Sequence, residues 1–323
     1  MFKQYPKGKG INQKIIESIV CTGLYKMTDW LCFEKIHGAN GCIIVGDNNI
    51  QFARRRAIVD PSDKFYNYEK IVDKYKDKLR QLYINIVDVH TTVTVVRVYG
   101  ELYGGIYPGQ KSVDIPVQQG VYYSPNVEFM AFDIHIDTND GNSEWLSYKK
   151  YSSELGRVGI PYIVPLFEGS FKDAIKVDNY FVTTIPKIHG LPLTEGNICE
   201  GIVIKPSENI LLDGEKIMIK SKNDKFTEKA PASTKNLKIT EIPEEIRDLS
   251  EYINNNRLDA AISKIGEPGP ENMGKIIKEF ISDILEEYIK DHELTKETKK
   301  ILGKTLCSLC VPLVKNRIGF HSS

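Results

Sequence analysis

Cysteine is scarce in this chain: six in 323 residues, at positions 21, 32, 42, 199, 307 and 310. That is too few for a disulfide scaffold of this length, so reduced thiols are expected. Cys307 and Cys310 form a lone CxxC with no second Cys or His pair nearby, and Leu306, Leu309, Val311 and Leu313 make its setting apolar. Core packing is the expectation there, not a metal or redox site. An excess of charge of one sign is also missing, since 43 Lys+Arg balance 43 Asp+Glu. Any grip on a polyanion must therefore come from local clusters. No run approaches the roughly 18 apolar residues of a membrane helix, and the opening stretch Met1-Phe2-Lys3-Gln4-Tyr5-Pro6-Lys7-Gly8-Lys9 lacks the apolar segment of a signal peptide. The expectation is a soluble intracellular protein, cytoplasmic by default, with no membrane partner.

What is present is an ordinary globular composition, 41% hydrophobic, in a length that suits about two domains. Short β-type runs fill residues 30 to 230. Cys42–Val45 and Ile50–Ala53 flank the turn residues Gly46-Asp47-Asn48-Asn49, which predicts a hairpin. Thr92–Glu101, Val127–Ile136, Gly201–Lys205 and Lys216–Lys222 read as further strands, and Asp63–Tyr83 as a helix. Ala230-Pro231-Ala232-Ser233-Thr234-Lys235 reads as a linker. Beyond it, Ile242–Asn254, Leu258–Ile265, Met273–Tyr288 and Thr295–Leu309 show helical spacing. The predicted class is α+β, with domains over 1–234 and 235–323.

The chemistry-bearing residues stand at the ends of apolar strands. In Phe33-Glu34-Lys35-Ile36-His37-Gly38-Ala39-Asn40, extended geometry puts Lys35 and His37 on one face and Ile36 on the other. A lysine there, desolvated and near other cations, is a potential nucleophile. Gly38 would let backbone approach a ligand. Gln51, Ala53 and Arg55 share a face without bulky apolar groups, which suits the lining of a site. Glu101 ends a β-branched run, where a carboxylate could bind a ribose hydroxyl, and Glu200 precedes another such run. Phe132 alone reads as a core aromatic, with base stacking as its functional reading. Period two places Lys220 and Lys222 on one face, opposite Ile217 and Ile219, and two neighbouring ammonium groups call for an anion such as phosphate.

Taken in order, Lys-x-His-Gly-x-Asn, an Arg-rich strand, Gly-Glu, Phe-Asp, Glu-Gly-x-Val-x-Lys-Pro and Lys-x-Lys-x-x-x-Lys-Phe resemble the motifs of covalent nucleotidyltransferases. The closer resemblance is to RNA ligases of the bacteriophage T4 RNA ligase 2 type, the group that includes the trypanosome editing ligases. Lys35-Ile36-His37-Gly38 has that group's form, whereas DNA ligases and capping enzymes carry Lys-x-Asp-Gly. The likeness extends into Ile262-Ser263-Lys264-Ile265-Gly266-Glu267 and Asp283-Ile284-Leu285-Glu286-Glu287, which resemble the phage enzyme's helical C-terminal domain.

This resemblance implies an antiparallel-sheet nucleotidyltransferase (adenylyltransferase) domain followed by a small all-helical domain. It implies an ATP-dependent RNA ligase that seals 3′-OH/5′-phosphate nicks, in duplex RNA, through lysyl-AMP at Lys35 and an adenylated RNA 5′ end. Phe132 then stacks on adenine, Glu101 holds the ribose, and Lys220 and Lys222 neutralise the α-phosphate. Glu34, Ile36, His37, Asn40 and Arg55 fall among the contacts to the nucleotide or the RNA 5′-phosphate. Glu200 is the carboxylate that helps organise Mg²⁺ or Mn²⁺. The sequence departs from the pattern at Ala39, where Thr is frequent, at Met130, where an aromatic is common, and in its three consecutive arginines, Arg54-Arg55-Arg56. Two other readings are a different covalent nucleotidyltransferase, a DNA ligase or capping guanylyltransferase, and a catalytically idle RNA-binding protein. The helical tail counts against the first, because those enzymes usually carry a β-barrel after the catalytic domain. The retained Lys35, Glu101, Glu200, Lys220 and Lys222 count against the second.

Overall fold

The structure, a computed structural model, describes residues 2–63, 65–112, 114–212, 214–226, 249–265, 269, 271–291 and 294–317. The chain divides into two compact units. One joins Met1–Ile11 to Thr28–Ala232, and the other joins Asn12–Met27 to Ser233–Ser323.

In chain order the elements begin β1 (Lys9–Gly10), α1 (Gln13–Cys21), β2 (Trp30–Glu34), β3 (Ala39–Gly46), β4 (Ile50–Arg54), β5 (Ala57–Ile58) and α2 (Tyr68–Val89). They continue with β6 (Val93–Ile106), β7 (Ser124–Thr138), β8 (Ser143–Trp145), α3 (Tyr148–Val158), β9 (Pro165–Gly169) and α4 (Phe171–Ala174). Next come β10 (Gly201–Pro206), β11 (Leu211–Leu212), β12 (Glu215–Lys216) and β13 (Ile219–Lys222). The first unit is built on a six-stranded sheet, β5-β4-β3-β6-β7-β8, and a five-stranded sheet, β1-β13-β10-β2-β9. Every pairing in them is antiparallel except the parallel β1/β13 edge.

β3 is apolar from Cys42 to Val45 because both of its faces are covered there. Ile43 and Val45 pack under α2 with Ile71, Tyr75, Leu79, Leu82 and Ile86. Cys42 and Ile44 turn to the opposite face, with Tyr5, Ala53, Tyr99 and Met218. A further apolar cluster joins Leu31 and Phe33 of β2 to Tyr103 of β6 and Met130 of β7, which presses the two sheets together. The expected hairpin is β3/β4, with Val45 opposite Ile50. α2 starts five residues later than the sequence pattern suggested, because Tyr66 and Asn67 take left-handed backbone (φ 48° and 52°) that a helix cannot continue through. It runs on to Val89 because buried Ile86 extends its apolar stripe.

The register of β6 against β7 slips where Tyr99 pairs with Asp133 and Gly100 with Ala131, leaving Phe132 as the extra residue of a β-bulge. Before the bulge, Val127, Phe129 and Ala131 face the helices, and after it Ile134 and Ile136 do. Phe132 and Asp133 are thereby both turned away from α2, a pairing that strict alternation forbids.

The second unit contains α1, α5 (Leu249–Tyr252), α6 (Asn255–Ile265), α7 (Met273–Asp291) and α8 (Lys296–Arg317). Stripes at a spacing of four, Ile276, Phe280, Ile284 and Tyr288 on α7 and Leu302, Leu306, Cys310 and Val314 on α8, form its core. Cys310 is thus core packing, and burial pushes its thiol up to about 12. α8 runs past Leu309 to Arg317 with Pro312 inside it. Contact places α1 with this unit instead of the first: Cys21 Sγ donates to Thr305 Oγ1 of α8 at 3.7 Å. Buried Ile16 and Ile19 give α1 an apolar face that needs such a partner. Asn12 caps α1, its side chain accepting from the Ile15 N–H at 3.1 Å. The expected linker over 230–235, and most of the helix expected over 242–254, lie outside the described residues.

Candidate active site

A cavity of about 670 Å³ opens in the first unit, lined by strands of both sheets. One part is apolar, with Phe33, Met130, Phe132, Ile163, Val203 and Met218, and another is charged, with Lys35, Arg54, Arg55, Arg56, Glu101 and Lys220. Each charged group arrives from a strand end or a turn. Lys35 follows β2, and its N–H donates to the Gly201 carbonyl at 2.8 Å, carrying the β2/β10 ladder one residue further. Ile36, past the end of β2, joins Leu31 and Phe33 in the apolar cluster between the sheets and also lines the cavity. Glu101 projects from β6 on the face opposite Leu102, and Lys220 and Lys222 leave β13 on one face while Ile219 and Ser221 are buried on the other.

Glu200, His37 and Lys222 are not among the lining residues; they form a cluster beside the charged part, joined to it through Lys35, with Glu200 as its hub. Lys35 Nζ donates to its Oε2 at 2.6 Å, His37 Nδ1 lies 3.4 Å from the same oxygen, and Lys222 Nζ lies 3.2 Å from Oε1. Burial pushes the Glu200 carboxyl up, but the His37 hydrogen bond and the Lys35 and Lys222 charges outweigh it and hold the group down at about 2. It is a fixed anion, a poor proton acceptor but a competent partner for cations. Glu101 behaves in the opposite way. Its burial, only partly offset by Lys35, Lys220 and Arg55 and reinforced by Glu200, raises it to about 7. Lys220 is lowered by burial first, then by the Lys35 and Arg55 charges.

Gly38 lines the cavity, and it has a structural task as well. A Cβ there would collide with the Leu102 carbonyl oxygen and approach Glu101 Cγ at 2.8 Å, so the glycine lets the segment after Lys35 lie directly on β6. The His37 N–H donates to Tyr123 Oη at 2.9 Å, and its ring meets Phe226 at 5.0 Å. Glu34 lines the cavity, but its carboxylate is turned to Thr183 and Thr184, accepting from the Thr184 N–H at 2.8 Å and hydroxyl at 2.7 Å. Asn40 lines the cavity from β3. Two of the three arginines separate by partner: Arg54 pairs with Asp63 at 3.2 Å, whereas the charge of Arg55 acts on Glu101 and Lys220. Arg55 lies in the turn after β4, and the face shared by Gln51 and Ala53 is not cavity lining.

Several residues were not singled out by sequence reasoning. Lys205, at the cavity floor, donates to the Phe132 carbonyl at 2.9 Å and to Asp133 Oδ2 at 3.2 Å. Fully buried Asp133 also accepts from Tyr5 Oη at 2.6 Å and from Lys216 Nζ at 2.8 Å. Burial pushes the Asp133 carboxyl up, and the Lys205 and Lys216 charges more than reverse this. The Lys-Pro of the Glu-Gly-x-Val-x-Lys-Pro motif was the available signal for Lys205. Tyr5 carried none. Among the described residues no cluster of three or more His, Cys, Asp or Glu could by itself hold a metal ion, and no helix is long and apolar enough to cross a membrane.

A lysine beside a fixed carboxylate, with an apolar slot on one side and arginines and a second lysine on the other, suits a purine nucleotide whose phosphates meet the cations. Comparison with known proteins agrees in kind. The family model described as RNA ligase matches residues 28–222, which carry every one of these groups except Tyr5. The chain belongs to the RNA ligase family. A second model, described as T4 RNA ligase 2 C-terminal, matches residues 239–311. Among curated relatives, the mitochondrial RNA-editing ligase 2 of Trypanosoma brucei brucei is 30% identical over 234 residues, 64% of this chain and 55% of that protein. RNA-editing ligase 1 of the same organism is 29% identical over 222 residues, 59% of this chain and 47% of that protein. The chain thus spans about half the length of the curated relatives it matches. Among solved structures, a Naegleria gruberi RNA ligase mutant with ATP and Mn aligns with a TM-score of 0.45 at 14% identity, covering 70% of this chain and 57% of that one.

Proposed function

We propose that this chain is an ATP-dependent RNA ligase in which Lys35 carries the adenylate. Membership of the RNA ligase family supports the reaction class. The observation that carries the assignment is the position of Lys35, in the lining of a cavity that holds both apolar and cationic side chains, its ammonium 2.6 Å from Glu200. In the first step the Lys35 amine attacks the α-phosphorus of ATP, a P–N bond forms, the Pα–O bond to pyrophosphate breaks, and the lysine proton is released. Phe132, Val203 and Met218 receive the adenine, Glu101 the ribose, and Lys220 and Lys222 the α-phosphate oxygens. Charge neutralisation and in-line placement then supply most of the rate.

In the second step AMP passes from Lys35 to an RNA 5′-phosphate, for which Arg55, His37 and Asn40 are the nearby donors. In the third, an RNA 3′-OH displaces AMP and the strand is sealed. The substrate in this reading is a nick in duplex RNA. Glu200 is the one fixed anion among these groups and the carboxylate that would hold a divalent cation, Mg²⁺ or Mn²⁺, with water and phosphate oxygens completing its shell. Such a cation supplies further charge neutralisation on phosphate.

Incubating the protein with ATP and Mg²⁺ and recording intact mass tests the assignment. A gain of one AMP is expected, absent in Lys35→Ala. Labelling by GTP in place of ATP would redirect the reading to a capping-type transferase, and sealing of nicked duplex RNA against nicked duplex DNA separates the ligase substrates.

A further inference from the structure

Residues 2–11 reach more of the cavity than the two-residue strand β1 suggests. Lys3 is anchored by its ammonium to His135 Nε2 at 2.7 Å and Ser143 Oγ at 3.1 Å, and its carbonyl accepts from Tyr99 Oη at 2.6 Å. Tyr5 follows. Its ring lines the cavity and meets the Phe132 ring edge-on, with centroids 4.9 Å apart, while its hydroxyl donates to the neighbouring Asp133. The segment then crosses to the other wall. Lys9 N–H donates to the Met218 carbonyl and Ile11 N–H to the Lys220 carbonyl, each at 2.9 Å, so β1 closes the edge of β13.

Between these anchors lies Gly8. A Cβ added there would sit 2.8 Å from Lys220 Cε, 3.0 Å from Met218 Cγ and 3.1 Å from the Met218 carbonyl oxygen. The stem of Lys220 therefore runs through the space that any side chain at position 8 would need. One stretch of backbone thus touches both ends of the site, the aromatic ring in the apolar part and the lysine in the cationic part.

We propose that residues 2–11 form a positioning element of the nucleotide cavity, in which Tyr5 fixes the plane of the Phe132 ring and the bare Cα of Gly8 fixes the path of Lys220. The proposal rests on the reading of Phe132 as base platform and Lys220 as phosphate partner given above. A bulged residue such as Phe132 has no ladder partner of its own, so its ring direction depends on side-chain neighbours, and Tyr5 supplies one on the cavity side. Lys220 is a flexible four-carbon stem, and confining it lowers the ordering cost of meeting a phosphate. The two contacts act on different quantities. Stacking is made equally to bound ATP and to the transition state, so losing it raises KM, whereas a lysine aimed at the reacting phosphate acts mostly on the rate.

The test uses the full chain with Tyr5→Leu, Tyr5→Phe and Gly8→Ala, measuring the rate of lysyl-AMP formation against ATP concentration together with thermal unfolding. Tyr5→Leu is expected to raise KM for ATP roughly three- to tenfold with a smaller change in maximal rate. Tyr5→Phe keeps the ring edge and should raise it less. Gly8→Ala should hold KM within about twofold and lower the maximal rate by roughly tenfold or more. The nearest obstacle is a flexible lysine end, so Gly8→Ala should displace Lys220, while the Met218 carbonyl at 3.1 Å must also give slightly, and thermal unfolding shows whether the fold is kept. Unchanged kinetics in both Tyr5→Leu and Gly8→Ala would overturn the proposal. So would a parallel fall in both parameters that tracks lost thermal stability. If Tyr5→Leu fails to fold, the smaller KM increase of Tyr5→Phe decides. Absence of any adduct in the unsubstituted protein would count against Lys35 as nucleophile. Calorimetric titration with ATP would then decide whether residues 2–11 position the site: affinity weakened by Tyr5→Leu supports this and equal affinity refutes it.

Discussion

Replacing Glu101 with glutamine should make the nucleotide-free protein more stable, by an amount that grows with pH. Glu101 faces the cavity from β6, where burial, opposed by Lys35, Lys220 and Arg55, raises its carboxyl from the ordinary 4.5 to about 7. A carboxyl whose folded value lies above its unfolded one holds its proton better in the folded state. Its contribution to stability is therefore fully present below about pH 4.5 and is lost as pH rises through about 7. At about 1.36 kcal/mol per pH unit the whole interval amounts to roughly 3 kcal/mol, most of which falls between pH 5 and pH 8. Urea unfolding of both proteins at half-unit steps across that range measures the difference. The wild type should fall relative to Glu101→Gln by roughly 2–3 kcal/mol from the acid to the basic end. Stability curves that stay parallel across the range would refute the assignment of Glu101 as the group that titrates near neutrality.

Arg55→Ala should move that loss to higher pH, because the Arg55 charge lowers Glu101, whereas Arg54→Ala should leave it in place and change stability by no more than about 0.5 kcal/mol, Arg54 being half exposed in an ion pair with Asp63. The same titration distinguishes the two arginines. Gly38→Ala should lose about 1–3 kcal/mol in chemical denaturation, since its new Cβ meets the backbone carbonyl of Leu102; stability equal to wild type would mean that the segment after Lys35 does not lie on β6. Asp133→Asn should lose about 3 kcal/mol or more, because it leaves the Lys205 and Lys216 ammonium groups buried without their shared anion. Its thermal midpoint should drop accordingly, and a midpoint unchanged from wild type would contradict the three-way pairing at Asp133.

The elements most legible in the sequence are those whose determinants are local. The β3/β4 hairpin follows from four turn residues between two apolar runs, and the shared face of Lys220 and Lys222 follows from a period of two. What escaped depends on distant partners. Strict alternation would separate Phe132 and Asp133, and only the register slip opposite Tyr99 and Gly100 turns both one way. Glu34 lines the cavity, but its sequence position does not tell that Thr183 and Thr184, some 150 residues on, take up its carboxylate. Gly38 lines the cavity too, and its close approach to Leu102 is set by a distant strand. Tyr5 sits outside every motif and enters the site through parallel pairing between the first and last strands of its sheet, which no sequence spacing encodes.

The helix α1 finds its partner α8 across 284 residues of chain, measured from Cys21 to Thr305. During synthesis α1 emerges long before α8, so its buried face, Ile16 and Ile19, has no permanent cover until that later helix has been made. Every residue that lines the cavity has been made by Lys220, long before that closure. Folding in vivo would thus have two clocks: early assembly of the sheets around an unspooled loop of residues 12–27, and a late, high-contact-order docking of α1 on α8. A chain cut near residue 234 would keep the first clock and never reach the second, leaving α1 as a sticky surface segment where an intact chain hides it.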